Sequence, residues 1–327
     1  MRDPGSGGTA VTLVAAAAME TTMRTATRDV FAAVVVACSL ASVLSAQTPG
    51  ATPSTGTPQQ PNPAGGRRGG GGGFVTPVYD SVPPEIPAEI KGPHAVLIFS
   101  KTNGYREEPA IQASNDALVA IAKKRGWPAF VTENAAVMNA DQLRRFNVVI
   151  WNNTSGDVLT EAQRAAFKTW LENGGAVVGT HGAGGDPRYE WAWYPETFIG
   201  AQFTSHSSQQ LGTVRIEDTK SPITKGLPAV WVRTVRDEWY AFKDNPRGKP
   251  GFHILATADE TTYDPGRSTM GADHPMVWTH CVGKGPVFYS AIGHSAETYS
   301  EPNHLQLLEN AIAWAMGLSG PTGCAAK

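Results

Sequence analysis

Four short, continuous apolar runs limit what this chain can fold into. They are Ala95-Val96-Leu97-Ile98-Phe99, Phe130-Val131-Thr132, Val148-Val149-Ile150-Trp151 and Ala176-Val177-Val178-Gly179. Runs with so little polar alternation suit strands buried on both faces. Between them the sequence predicts three helices. The first, from Pro109 to Arg125, has Ala113, Ala117, Leu118, Ile121 and Ala122 on one face and is stopped by Gly126. A short one follows over Asp141 to Arg145. The third, Glu161 to Glu172, opens on a Thr160-x-x-Gln163 capping box and closes at Gly174-Gly175. This βαβαβαβ rhythm implies a mainly parallel sheet covered by helices on both faces. Further strand-like runs occupy Thr213 to Ile216, Glu238 to Phe242, His253 to Thr257, Met276 to Cys281 and Pro286 to Ile292. A last helix, Asn303 to Met316, turns Leu307, Leu308, Ala311, Ile312 and Ala315 to the core. The expectation is one α/β domain over 93–318 with a β-rich second half.

The flanks read differently. Met23 starts an export signal: Arg24 and Arg28 form a basic segment, Val30 to Leu44 an apolar one, and Ser45-Ala46 a small-residue exit before Gln47. The apolar run of about 15 residues is short of the ~20 that span a bilayer, so 1–46 reads as a cleaved signal region. The mature chain is then periplasmic or secreted, without a transmembrane span. Anchoring as a lipoprotein at Cys38 is the lesser reading, because Val36 is bulky for such a site and the apolar stretch continues beyond it. Residues 47–92 form a Pro/Gly-rich linker, disordered to 73 and then extended over the domain surface, and 319–327 a flexible tail. With a net charge of −2 and no basic block beyond Arg67-Arg68, nothing suggests a nucleic-acid groove. Cleavage leaves Cys281 and Cys324; their pairing stays open, and Cys281, inside a strand, reads as a buried structural thiol.

Chemistry is expected where strands end, because open α/β sheets bind ligands beyond their carboxyl edges. The fourth run leads into Thr180-His181-Gly182-Ala183-Gly184-Gly185-Asp186. Gly179 and Gly182 flank His181, which predicts a sharp turn that exposes its imidazole. In other α/β enzymes such an elbow carries Ser or Cys; with His there, the residue argues against a thioester or acyl-serine mechanism at this turn. Lys101-Thr102-Asn103-Gly104 lacks phosphate-loop spacing.

Here the sequence resembles a known family. FSKTNGYR (99–106), NTSGDVL (153–159), GGAVVGTHGAG (174–184), DEWYAF (237–242), TMGADHPMVW (269–278) and YSAIGHS (289–295) match the ThuA-like (trehalose-utilisation) family in order and spacing. One departure is Gly-Ala-Gly-Gly at 182–185, in place of a more Ala-rich stretch. The resemblance implies a flavodoxin-like three-layer fold similar to class I glutamine amidotransferases, and a role in sugar metabolism. Amidotransfer itself fails for want of a cysteine at the elbow.

The remaining candidates follow from residue type. A carboxylate entering an aromatic strand is costly to bury unpaired, which marks Glu238 as base or ligand. Asp273-His274-Pro275 and Gly293-His294-Ser295 put imidazoles at strand ends, and His206 lies in a Thr-Ser-His-Ser segment. The expected catalytic set is His181, Glu238 and His274. An alternative use of the same chemistry is a divalent metal such as Zn on His181, His206, Glu238 and His294. Nine Trp and eight Tyr favour sugar-sized aromatic walls. Arg106, Asn153, Asp157, Asp186, Trp193 and Tyr240 are the expected binding residues for a small carbohydrate. His94, His253, His280 and His304 read as core or surface histidines. The leading expectation is an enzyme that cleaves or rearranges a saccharide or oxidised glycoside by acid–base chemistry; the second is a noncatalytic cell-surface sugar-binding protein. A homo-oligomer is left open.

Overall fold

The computed structural model describes residues 77–324. The expected signal region, the linker up to residue 76 and the last three residues of the tail lie outside them. Among the described residues no helix is long and apolar enough to cross a membrane.

The first half is laid out as β1 (Val96–Phe99), α1 (Glu108–Arg125), β2 (Ala129–Thr132), α2 (Ala140–Leu143), β3 (Val148–Asn152), α3 (Glu161–Glu172) and β4 (Ala176–Thr180). β1, β3 and β4 are buried throughout, as their unbroken apolar runs require. β2 is partly exposed because it forms an edge of the sheet. Thr160 and Gln163 cap α3 reciprocally, each side chain bonding the other's backbone N–H. The second half adds β5 (Phe203–His206), β6 (Thr213–Ile216), β7 (Val230–Val232), β8 (Tyr240–Phe242), β9 (His253–Asp259), β10 (Pro275–Val282), β11 (Gly285–Ser290) and α4 (Pro302–Ala315).

Nine strands make one sheet in the order β2-β1-β3-β4-β11-β10-β9-β6-β7. The first five are parallel, the flavodoxin-like order of the α/β core. The other four extend it antiparallel. Connection length explains the change: Gly283 and Lys284 alone join β10 to β11, and a two-residue turn permits only a hairpin. α1 packs with α4, and α2 with α3, giving the outer layers. Leu307, Leu308, Ala311 and Ile312 of α4 are buried, as expected.

β5 and β8 pair separately, with His206 opposite Tyr240. This ladder was not expected, since Phe203-Thr204-Ser205-His206 is polar and its burial is broken. The strand expected from Glu238 begins only at Tyr240, which leaves Glu238 in the preceding loop. A second correction concerns Cys281. It is exposed near the end of β10 and is joined to Cys324 in a disulfide, so it is not a buried thiol. Its place near the strand's end puts it beside the segment that follows α4.

Residues 77–92 run extended along the domain. Arg145 fixes them by donating to the carbonyl oxygens of Ile86, Pro87 and Ile90, while Asp80 pairs with Lys101 at 2.8 Å.

Candidate functional site

The site forms where β4 and β11 end side by side. Directly after β4, His181 has φ +37°, a left-handed conformation that non-glycine residues adopt only when their surroundings hold them. Those surroundings are specific. Tyr289 donates its hydroxyl to the His181 carbonyl at 2.9 Å, and His181 Nδ1 lies 2.8 Å from the carbonyl oxygen of Ala291, just past β11. That carbonyl can only accept, so Nδ1 carries the proton and Nε2 offers a lone pair. The Tyr240 hydroxyl donates to it at 2.8 Å. The elbow is sharp, as expected, but the expected exposure is corrected: Tyr240, centred 4.3 Å away, and His294 cover the ring, which is 4 % exposed.

Glu238 faces this imidazole and two others. Its Oε2 is 3.9 Å from His181 Nε2 and 3.1 Å from His294 Nδ1, and its Oε1 is 3.6 Å from His206 Nδ1. His294 can come so close because Gly293 precedes it with φ +140°; a Cβ there would lie 2.6 Å from the Tyr299 hydroxyl and 3.1 Å from His181 Cβ. Beneath the cluster, buried Asp237 accepts from the backbone N–H groups of Glu238, Gly293 and His294. It also pairs with Arg233 at 3.0 Å, and Arg233 pairs with Glu301 at 2.8 Å. Asp237 thereby brings the loop before β8 and the loop after β11 into one register.

The environments drive the groups apart. Burial lowers the His181 imidazole and outweighs the pull of Asp237 and Glu238, so the ring is held neutral. Burial also works to raise the Glu238 carboxyl, but the hydrogen bond from His294 and the imidazoles around it hold it below its ordinary value. For His294 burial works downward, yet its hydrogen bond to Glu238 and the charges of Glu238 and Asp237 prevail and raise it. The result is an ionised carboxylate beside an imidazole favoured as a cation, with a neutral imidazole behind. A cavity of about 490 Å³ borders His206 and is lined by Ser205, Ser207, Ser208, Asp264 and Arg267. Tyr105, 68 % exposed, stacks on His294 with ring centres 6.4 Å apart. Another cleft, about 540 Å³, lies around Trp170 and Arg144 between α2 and α3. It is at the opposite ends of β3 and β4, where open α/β sheets do not bind ligands, and contains none of these groups.

A family model for trehalose utilisation, ThuA, matches residues 95–315. The chain belongs to the ThuA family. It is similar to a ThuA-like protein from Bacteroides uniformis, at 26% identity and a TM-score of 0.60, over 72% of this chain and 95% of that one. A ThuA-like protein from Parabacteroides merdae shares the fold at 20% identity and a TM-score of 0.53, over 69% of this chain and 90% of that one. No curated protein matches the chain. Membership supports a role in carbohydrate metabolism, and the amidotransferase-like fold is consistent with it.

Within this ThuA domain, His181, Glu238, His294, His206 and Tyr240 converge. His274 does not join them. Fully buried, it bonds the Tyr240 carbonyl through Nε2 at 2.7 Å and pairs with Glu260 at 2.8 Å, so it supports β8 from behind. Asn153 packs against the elbow, donating to the Tyr299 hydroxyl at 2.8 Å. Arg106 is engaged by Glu108 and Glu133, and Asp157 by Arg164. Asp186 accepts from the Arg188 N–H. Trp193 packs between Trp191 and Phe198, with ring centres at 4.7 and 5.9 Å. Sequence reasoning missed Gln209, whose Nε2 is 2.7 Å from His294 Nε2, and gave Tyr105 no role. Gln209 stands in a plain Ser-Ser-Gln-Gln run with no spacing signal; Tyr105 lies within the first matching motif.

Proposed function

We propose that this ThuA-family protein cleaves or rearranges a saccharide or oxidised glycoside by acid–base chemistry at Glu238 and the surrounding imidazoles. The observation that carries this reading is one partly buried carboxylate facing three imidazoles at 3.1 to 3.9 Å, at the strand ends, with a polar cavity bordering His206, one of the three. Glu238, kept ionised, removes a proton from the sugar. His294, favoured as a cation, returns one to the departing or rearranging oxygen. The Tyr240–His181 pair fixes the floor of the site and, with its hydroxyl, contacts the substrate oxygen nearest the elbow. Tyr105 and the serine-lined cavity receive the sugar ring.

The test is a panel of glycosides and keto-glycosides with the purified chain. His181→Ala and Glu238→Gln should lower turnover by about 10²–10⁴-fold while melting like the parent. If both retain turnover, the assignment falls. If sugars bind, nothing turns over, and Tyr105→Ala abolishes binding while the histidine variants do not, the noncatalytic sugar-binding reading replaces it.

Export is part of the proposal. It is supported by the signal pattern after Met23 and by the Cys281–Cys324 disulfide, a bond that persists in oxidising compartments. Cell fractionation should find a chain starting at Gln47, outside the cytoplasm and without free thiols. A cytoplasmic chain with both thiols reduced would reject this.

A further inference from the structure

We infer that His181, Glu238 and His294 form a three-ligand site for a divalent transition-metal ion, with Ala291 and Gln209 as the groups that orient the two imidazoles. Each of the three offers one ligand atom, and these lie within 4.8 Å of one another. Donors held about 2.0–2.2 Å from a zinc-like ion stand roughly 3.3–3.6 Å apart in a tetrahedron. The separations from Glu238 Oε2, 3.1 Å to His294 Nδ1 and 3.9 Å to His181 Nε2, bracket that spacing. His206 is left out: its Nδ1 faces the other carboxylate oxygen and the Ser207 carbonyl.

Three independent features support the assignment. Metal-binding imidazoles commonly donate their second ring N–H to a fixed acceptor, which sets the tautomer. His181 does this already, with Nδ1 committed to the Ala291 carbonyl and the Nε2 lone pair turned inward. His294 has the amide of Gln209 at its Nε2. When that amide presents Oε1, Nε2 carries the proton and Nδ1 is free for the ion; which end of an amide faces a partner is fixed only by the bonds it makes. The charge balance is the third feature. Asp237 and Glu301, both buried, share the single guanidinium of Arg233, while Glu238 faces imidazoles. This formal excess of negative charge favours a cation. Two imidazoles and one carboxylate suit zinc, iron, nickel or manganese, and three protein ligands leave a position for a substrate oxygen.

The Tyr240 hydroxyl supplies a discriminating test, because it donates to the same Nε2 lone pair that the ion would use. Removing it should help the metal, whereas a structural role would predict only damage. The experiment is titration of the chelator-treated full chain with Co(II), followed by its visible absorption bands, with Zn(II) as competitor. One Co(II) per chain is expected, displaced by Zn(II). His181→Ala and His294→Ala should each weaken binding at least 100-fold. Exposed Gln209, changed to Ala, should weaken it about 10–100-fold, and Gln209→Glu should restore it. Tyr240→Phe should bind more tightly than the parent. The inference is overturned if the parent binds no better than the His181→Ala/His294→Ala double variant, or if Gln209→Ala and Tyr240→Phe both leave affinity unchanged. The readout is bound metal, so its failure leaves the acid–base proposal standing, whereas an ion bound by Glu238 and His294 replaces their roles as free base and acid.

Discussion

Arg233→Met is expected to cost about 3–5 kcal/mol of folding free energy, because it leaves buried carboxylates without their cation. The Arg233 side chain is fully buried, pairs with Asp237 and Glu301, and lies over the Trp231 ring at 5.1 Å. The two carboxylates should respond unequally. Asp237 loses Arg233, the largest influence that holds its carboxyl below the ordinary range against burial, but keeps three backbone N–H donors. Glu301 keeps only Trp231 Nε1 and the Thr234 N–H and hydroxyl, at 3.2 to 3.3 Å. The double variant Arg233→Met/Glu301→Leu should therefore be more stable than Arg233→Met alone, since it removes the less satisfied charge. Urea unfolding of the three proteins measures this. A loss below about 1 kcal/mol for Arg233→Met would mean that the network is hydrated and worth no more than a surface pair. Because Asp237 also ties together the loops carrying Glu238 and His294, the same variant should raise KM more than a surface substitution of equal stability cost.

The core of this fold was legible because the strands are short and apolar on both faces. Val96–Phe99 and Ala176–Thr180 admit no other reading once helices with clear caps separate them. The elbow His181 and the carboxylate Glu238 were legible for a related reason: glycine flanks and a charge beside aromatic residues are local signals. What the sequence could not convey was which histidines meet. His274 and His294 carry similar signals, each at the end of a strand-like run beside a small or acidic residue. Only the order β4-β11-β10 decides that His294 faces His181 while His274 lies behind Tyr240. Gln209 and the Arg233–Asp237–Glu301 network were invisible for the same reason, as their contacts cross up to 85 positions of chain. Arg106 and Asp157 show the converse. Both stand in loops at strand ends, but nearby charges engage them first.

Acid should unfold the protein largely through His304. At the start of α4 it is fully buried, 5.2 Å from the Tyr299 ring, and neither ring nitrogen meets a hydrogen-bond partner among the described residues. Burial, aided by the nearby charge of Arg233, lowers its pKa to about 3 from an ordinary 6.5. The sign follows from proton counting. Between those values the unfolded chain binds a proton that the folded chain refuses, so stability falls as pH drops from 6.5 toward 3. The slope from this one group approaches 1.36 kcal/mol per pH unit, roughly 4–5 kcal/mol over the whole interval. His280, lowered to about 4 chiefly by burial, acts in the same direction over a narrower range. His304→Leu keeps the volume and removes the proton site. Its unfolding free energy should therefore vary less with pH between 4 and 6, by about one proton's worth of slope. Parallel curves for parent and variant would refute this, as would a His304 ring signal titrating near pH 6.5 in the folded parent by NMR. The second measurement decides the matter even if the leucine variant folds poorly. It also separates His304, a neutral ring without a partner, from His294, a ring drawn toward its charged form by Glu238 only a short distance away in the same domain.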